Sequence, residues 1–226
     1  MPVLQTPVLQ VQNLGVSFST PEGEVQAVRG VSFSLGAGET LGLVGESGSG
    51  KSVTALSILR LLASTGKIIS GEILFHGRDL VTAPQKTLRD IRGKKISMIF
   101  QDPMSSLNPL MAIGKQVGEA ITAHPETTAG PNRRKLSGRE LDKRVTALLS
   151  GVKIPESEKR RRFYPHELSG GMRQRTMIAM ALSCRPEIVI ADEPTTALDV
   201  TIQSQILRLL KNVQAEIGMS IIFITH

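Results

Sequence analysis

The stretch Gly45-Glu46-Ser47-Gly48-Ser49-Gly50-Lys51-Ser52 constrains this chain more than any other. It fits the phosphate-loop pattern G-x-x-x-x-G-K-[ST]. The flanks carry as much information as the pattern. Thr40 to Val44 is a short apolar run that ends in the loop, and Val53 to Leu62 has helical character. The chain is therefore expected to leave a buried strand, turn through glycines and enter a helix at once. Each residue type then has a task. The glycines let backbone N–H groups turn inward around phosphate oxygens, and the helix N-terminus adds its positive dipole end. Lys51 is a point charge for β- and γ-phosphates, and Ser52 offers a hydroxyl to Mg2+. A Gly/Ser-rich turn is the bland alternative, and it accounts for neither the full pattern nor its context.

Around this loop the chain alternates strands and helices. Val8 to Phe18 and Val25 to Leu35 alternate apolar and polar positions about a turn-like Thr20-Pro21-Glu22-Gly23, which predicts an antiparallel pair. Further strands are expected at Glu72 to Phe75, closed by His76-Gly77, at Ile96 to Phe100, at Ile188 to Ala191 and at Ser220 to Ile224. Helices are expected at Leu141 to Leu149, Met172 to Leu182 and Ile202 to Glu216, and no convincing strand falls between Ile113 and Ser183. His124 to Arg139 reads as a polar surface loop. The pattern predicts an α/β fold with a mostly parallel sheet and a helical middle inserted between two sheet strands.

Composition narrows the setting. Hydrophobic residues make up 40% of the 226, enough for a substantial core, and no apolar run approaches the length that spans a bilayer. The N-terminus lacks a secretory pattern, so a cytoplasmic address is expected. The single cysteine, Cys184, lies in an apolar run and reads as a buried structural thiol. The net charge is +7, with clusters at Arg133-Arg134-Lys135 and Lys159-Arg160-Arg161-Arg162. A solvated face comes first, then a membrane or partner contact, then nucleic acid; neither cluster is interleaved with aromatics, as a single-strand stacking platform would be.

Two further stretches carry chemistry. Ile188-Val189-Ile190-Ala191-Asp192-Glu193 is an apolar strand ending in adjacent carboxylates. Asp192 at the strand end can reach a Mg2+ shell, and Glu193 is the candidate to polarise water for attack on a γ-phosphate. Such a pair is common in loops, and the phosphate loop is what gives it weight. Leu168-Ser169-Gly170-Gly171-Met172-Arg173-Gln174-Arg175 precedes a helix, with Ser169 as N-cap and two glycines leaving N–H groups exposed. This makes a second anion site. One chain has no obvious need for two; a head-to-tail pair, each binding the nucleotide held by the other, does.

With these motifs in this order the chain resembles the ABC ATPase family over nearly its whole length. Leu168 to Gln174 looks like the signature motif, Gln101 like the Q-loop glutamine, Thr196-Ala197-Leu198-Asp199 like the D-loop and His226 like the switch histidine. Phe18 matches the aromatic that stacks on adenine, with plain core packing as the alternative. Leu136-Ser137-Gly138 lacks the second glycine and reads as a decoy. The resemblance implies a phosphate-loop NTPase core over 1–101 and 186–226, including an antiparallel β subdomain, and an inserted helical subdomain over 102–185 that carries the signature. It implies catalytic roles for Glu193, His226, Lys51 and Gln101. It implies an ATP site made by Phe18, Gly45, Glu46, Ser47, Gly48, Ser49, Gly50, Lys51, Ser52 and Val53. Ser169, Gly170, Gly171, Gln174 and Asp199 are implied on the partner-facing side, and Ser52, Gln101 and Asp192 about Mg2+.

Within that family, Phe100 to Pro109, Tyr164-Pro165-His166-Glu167 and Ala191 to Thr201 look like the importers of dipeptides, oligopeptides, glutathione and nickel, with the first ATPase half of glutathione importers nearest. His166 is expected to be structural, and His76 and His124 surface residues. The resemblance implies ATP hydrolysis that powers import of a small solute. It also implies a second ATPase subunit in a head-to-tail homo- or heterodimer, transmembrane permease subunits, a solute-binding protein acting indirectly and no nucleic acid. The expected place is the cytoplasmic face of a bacterial inner membrane. Relatives continue beyond the switch histidine, so a truncated chain is expected. The alternative is an ABC-type ATPase acting on DNA or ribosomes. The stretch from Lys51 to Ser169 shows no sustained heptads, and the Gln101 to Pro109 motif favours transport.

Overall fold

The computed structural model describes residues 6–124, 136–196 and 198–225. Strands β1 (Leu9–Thr20) and β2 (Gly23–Leu35) form the expected antiparallel pair, closed by a tight turn at Thr20↔Gly23. Next come β3 (Thr40–Val44) and helix α1 (Lys51–Ile58). Helix α1 starts earlier and stops sooner than its sequence suggests. Arg60 takes φ +49, its N–H bonds Ser57 O at 3.0 Å, and Leu61 N–H reaches back to Leu56 O at 2.8 Å. That is the bonding of a Schellman stop, built on arginine where glycine is usual. The missing glycine hid it from the sequence.

Strand β4 (Gly66–Phe75) is longer than expected and pairs with the other edge of β1, followed by the short β5 (Arg78–Asp79). The sequence reading begins this strand only at Glu72, after Ser70-Gly71. In the structure Gly71 has φ +89, and a Cβ there would lie 2.4 Å from Gln12 O, so this is a bulge against β1 and not a strand end. Helix α2 (Gln85–Ile91) leads to β6 (Ile96–Ile99). The expected helical insertion follows: α3 (Pro103–Ser106), α4 (Ile113–Thr122), α5 (Gly138–Gly151), α6 (Ser157–Arg160) and α7 (Gly170–Leu182). The chain then returns through β7 (Ile188–Asp192), α8 (Val200–Ile217) and β8 (Ser220–Thr225). Ser137 of the decoy is the N-cap of α5, sharing a capping box with Glu140. The cluster Arg133-Arg134-Lys135 lies outside the described residues.

Two sheets result. One is antiparallel in the order β2-β1-β4-β5, and the other is parallel in the order β3-β8-β7-β6. Strands β6 and β7 are buried on both faces, which is why β7 is apolar at every position before its terminal aspartate. The edge strand β3, expected to be buried, instead alternates exposed and half-buried positions, with Val44 70% exposed, because β8 pairs with one of its edges alone. Alternation divides the sheet's residues. Ile188, Ile190, Ile222 and Ile224 join one core with Leu9, Leu14, Ile73 and α1. Val189, Ala191 and Ile221 join the other with Ile113, Val117, Leu149 and Ile178. Each fully buried Ile or Leu is worth about 1.5–3 kcal/mol relative to exposure. The helical insertion thus shares its core with α8 and one sheet face. Cys184 is buried, as its apolar setting suggested.

At the amino ends of β6 and β7, Glu187 ties the two sheets together. Its carboxylate takes His76 Nε2 at 2.6 Å and Lys95 Nζ at 2.5 Å, and His76 stacks at a tilt on Phe75. His76 is exposed, as expected of it, and it is also bonded. The carboxyl ends of the same strands carry the residues described next, where ligands bind in α/β sheets.

Candidate nucleotide-binding site

The phosphate loop runs from the end of β3 into α1. Gly48 has φ +78 and Gly50 φ +88, a region that side chains rarely enter. Gly50 also approaches β2: a Cβ there would sit 2.4 Å from Ala27 O. Lys51 Nζ donates to Gly45 O at 2.7 Å and Glu46 O at 2.8 Å. Neutral carbonyls orient the ammonium without cancelling its charge. Thr54 donates both its N–H, at 2.8 Å, and its hydroxyl, at 2.9 Å, to Gly50 O, which anchors the loop on α1.

Across the loop stand the two carboxylates. Asp192 ends β7 at 5% exposure and accepts a hydrogen bond from Ser52 Oγ at 3.0 Å. Burial pushes its carboxyl above the ordinary carboxylate range. The Ser52 bond opposes that, the Glu193 charge adds to it, and Lys51 partly offsets it. Among the described residues, no group of three or more His, Cys, Asp and Glu gathers to hold a metal alone. A hydroxyl, one under-compensated carboxylate and an adjacent phosphate loop are a donor set that fits Mg2+, which is commonly held by one or two carboxylates plus nucleotide phosphates.

Glu193 follows at 8% exposure with φ +45, a strained setting for a residue that is not glycine. Its N–H donates to Ile224 O at 3.1 Å on β8. Its Oε2 accepts from Gln101 Nε2 at 2.8 Å and from Thr196 Oγ1 at 3.0 Å. Gln101 therefore meets the carboxylate pair from the end of β6, and its amide turns the nitrogen toward Glu193.

Ser169 caps α7, accepting from Met172 N at 3.3 Å. Gly170 and Gly171 lie against the segment after β7. A Cβ on Gly170 would be 3.6 Å from Leu198, and one on Gly171 would be 3.0 Å from Ile202. Asp199 in turn caps α8 through Ile202 N at 2.9 Å. Gln174 is 2% exposed, and among the described residues its Nε2 has no hydrogen-bond partner. Among the described residues no hydrogen bond joins this serine–glycine turn to the phosphate loop. The chain thus offers two separate anion-receptive turns. Phe18 is half-buried at the far end of β1, opposite Val25 and Gly66, and its ring covers the Gly66 backbone. Ala27, which meets Gly50, lies on β2 two residues past Val25. His166 stacks on Tyr164 with ring centroids 5.7 Å apart. His226 and Ala197 lie outside the described residues.

Sequence reasoning missed two contributions. Thr196 was seen only as part of a motif, with no partner assigned. Gln116 drew no notice, yet its buried side chain accepts from Asn108 N and donates to Asn108 O and Met111 O, shaping the segment after Gln101. The turn-forming Asn108-Pro109 was the available signal.

A glycine-rich loop facing strand-end carboxylates on a parallel α/β sheet, with a second serine–glycine turn at a helix start, defines a nucleotide-binding ATPase fold of cassette type. The chain belongs to the ABC transporter family, whose model matches residues 28–196. It is 55% identical over 222 residues to the oligopeptide transport ATP-binding protein OppD of Bacillus subtilis (strain 168), covering 98% of this chain and 60% of that protein. It is 55% identical over 220 residues to the dipeptide transport ATP-binding protein DppD of the same organism, covering 97% and 63%. The chain spans about three fifths of the length of these curated relatives. Among solved structures, the ATP-binding cassette MJ0796 in a dimeric post-hydrolysis state bound to ADP and Pi superposes with a TM-score of 0.82. The identity is 30%, with 96% of this chain and 88% of that one covered.

Proposed function

We propose that the chain binds ATP with Mg2+ and hydrolyses it as one half of a head-to-tail pair, powering import of peptides through membrane subunits. One observation carries this reading above others: the Ser52–Asp192 hydrogen bond sets a metal-receptive pair beside the phosphate loop, with Glu193 next in sequence. Residues 45–53 hold the phosphates, with Lys51 as the cation, and Phe18 stacks on the base. Ser52 and Asp192 hold Mg2+, with the Gln101 carbonyl available to it. Bound there, Mg2+ neutralises charge on the β- and γ-phosphates. Glu193 orients the attacking water, and His226 contacts the γ-phosphate. Ser169, Gly170 and Gly171 face the nucleotide of the second subunit, whether an identical or a different chain; Asp199 caps the adjoining helix, and buried Gln174 backs the turn.

The names of the relatives favour peptides over glutathione or nickel, and transport over work on DNA or ribosomes. The nucleotide-binding core comprises 1–101 and 186–226, and the helical subdomain 102–185. Leu110, 87% exposed, and Met104, 49% exposed, follow Gln101 and form the apolar surface offered to the permease subunits. No helix among the described residues is long and apolar enough to cross a membrane. The proposed place is peripheral, on the cytoplasmic face of the inner membrane, with a solute-binding protein acting through the permease. Calorimetry of ATP binding to the Lys51→Ala protein tests the core of the reading. Affinity should fall sharply, and unchanged affinity for the triphosphate overturns it.

A further inference from the structure

We infer that Arg175 is a positioning residue for the serine–glycine turn, fixing α7 against α8 so that the turn meets the second subunit in one orientation. The inference rests on the reading of that turn as the receiver of the second subunit's nucleotide. Among the described residues the buried charged side chains are Asp192, Glu193 and Arg175, and the proposed chemistry uses only the first two. Arg175 is 8% exposed, and among the described residues no salt bridge includes it. Its acceptors are neutral and come from two other helices. Nη1 donates to Val152 O at 2.8 Å, and Nη2 donates to Gln205 Oε1 at 2.8 Å. Val152 caps the C-terminus of α5, an end that favours a cation, and Gln205 lies on α8.

Space-filling alone does not account for a guanidinium here, since an apolar side chain avoids the cost of taking a charge out of water. That cost shows in its pKa, which burial draws below the ordinary arginine value. What the guanidinium adds is direction. Both helices bury apolar residues in one core, Ile178 of α7 and Ile206 of α8 among them, but that attraction is non-directional. Gly171 and Arg175 stand one turn apart on α7, as Ile202 and Gln205 do on α8, so each pair shares a face. A Cβ on Gly171 would lie 3.0 Å from Ile202, so the two helices approach closely near their starts. One turn further along, the Arg175–Gln205 bond stops α7 from sliding or rolling about that point. The planar fork of the same guanidinium holds the end of α5 in place. The turn Ser169-Gly170-Gly171 opens α7 and moves with it. Arg175 acts through the turn and touches no reacting atom itself.

The test is ATP-driven dimer formation by the full-length Glu193→Gln protein, read by sedimentation as the protein concentration at which half is dimer. Arg175→Met keeps the apolar stem and removes both donors. It should raise that concentration roughly ten- to a hundredfold, the scale of hydrogen bonds to a charged group. ATP affinity of the single subunit should stay within about twofold, because the phosphate loop sits on other elements and separate sites act independently. A general loss of structure would lower both together. Gln205 is exposed, so its variants leave the core intact. Gln205→Met should weaken the dimer, and Gln205→Glu, which keeps an acceptor for Arg175, should not. The double variant Arg175→Met/Gln205→Met should be no weaker than Arg175→Met alone, since the two changes remove one shared bond. An unchanged dimer in the methionine variants, a parallel loss of ATP affinity, or fully additive losses overturns the inference. Should Arg175→Met fold poorly by its thermal midpoint, the comparison of Gln205→Met with Gln205→Glu decides. If the Glu193→Gln parent forms no dimer with ATP, the reading of the turn falls and the role of Arg175 with it. If the parent dimerises and the methionine variants match it, only the role of Arg175 falls.

Discussion

The hydroxyl of Ser52 donates to Oδ1 of Asp192 across 3.0 Å, joining residues 140 positions apart. The first turn of α1 and the last residue of β7 are thereby locked at one corner of the parallel sheet. The carboxylate is buried, and among the described residues no salt bridge neutralises it.

That burial makes Asp192 a source of instability when no nucleotide is bound. Its folded-state pKa lies above the ordinary value, so its favourable contribution is complete below about pH 3.8 and is lost as pH rises through the folded pKa. Asp192→Asn keeps an acceptor for Ser52 and removes the charge. The variant should melt higher than the parent at pH 7 without nucleotide, by about 2–4 °C for each kcal/mol relieved. The difference should vanish in strong acid, and Mg2+-dependent ATP binding should be lost. Thermal melts across pH measure the first, and Mg2+ titration of nucleotide binding the second. A lower melting point at pH 7 speaks against the assignment.

Glu187 has the opposite sign. Burial raises its pKa, but hydrogen bonds from Lys95 and His76 and their charges outweigh that and hold it below the usual range. Its contribution is present above about pH 4.5 and fades as pH falls through the lowered value. Glu187→Gln should cost roughly 0.2–1 kcal/mol at pH 7, the scale of half-exposed pairs, less in high salt. Urea titrations at pH 7 and in acid should show the cost shrinking in acid. Nucleotide affinity should not move, because the trio sits at the far end of the strands from the phosphate loop.

On the function proposed above, Glu193→Gln should keep ATP binding and lose turnover, since the amide preserves shape and removes the charge proposed to orient water. ATP should then hold the full-length protein as a dimer on a sizing column. Ser169→Arg should abolish that dimer, because on the proposed arrangement it places a long side chain at the turn that would receive the second subunit's γ-phosphate. A Glu193→Gln protein that stays monomeric with ATP contradicts the head-to-tail arrangement.

Two loop glycines separate strain from collision. Gly48 has φ +78 with open space around a Cβ, so Gly48→Ala should cost only backbone strain, about 1–3 kcal/mol. Gly50 has φ +88 and Ala27 O in the way at 2.4 Å, so Gly50→Ala must also push β2 aside. Its melting point should fall further, and its ATP affinity should fall more, than in the Gly48 variant. Equal effects would mean that the Ala27 contact is not limiting.

The phosphate loop, the carboxylate pair and the capped serine–glycine turn were legible because each is local: neighbours in sequence set the geometry. The strand–helix order followed from periodicity. What was hidden depends on partners distant in sequence or on unusual backbone. Arg60 ends α1 in a conformation glycine normally takes, and Gly71 bulges where composition suggests a break. The hydrogen bonds of Gln101 and Thr196 to one oxygen of Glu193 cross from another strand and from the turn beyond it, so no spacing rule announces them. The short β5 and α2 carry too few residues to display a period.

The two carbonyl bonds made by Lys51 use two of the three N–H donors of its ammonium and none of its charge. On the function proposed above, an arriving phosphate would meet a cation that the loop already holds in place, and would have the third donor and the whole charge to gain from without displacing Gly45 O or Glu46 O. The loop's own carbonyls would then serve as the fixed half of the lysine's coordination, with the ligand completing it.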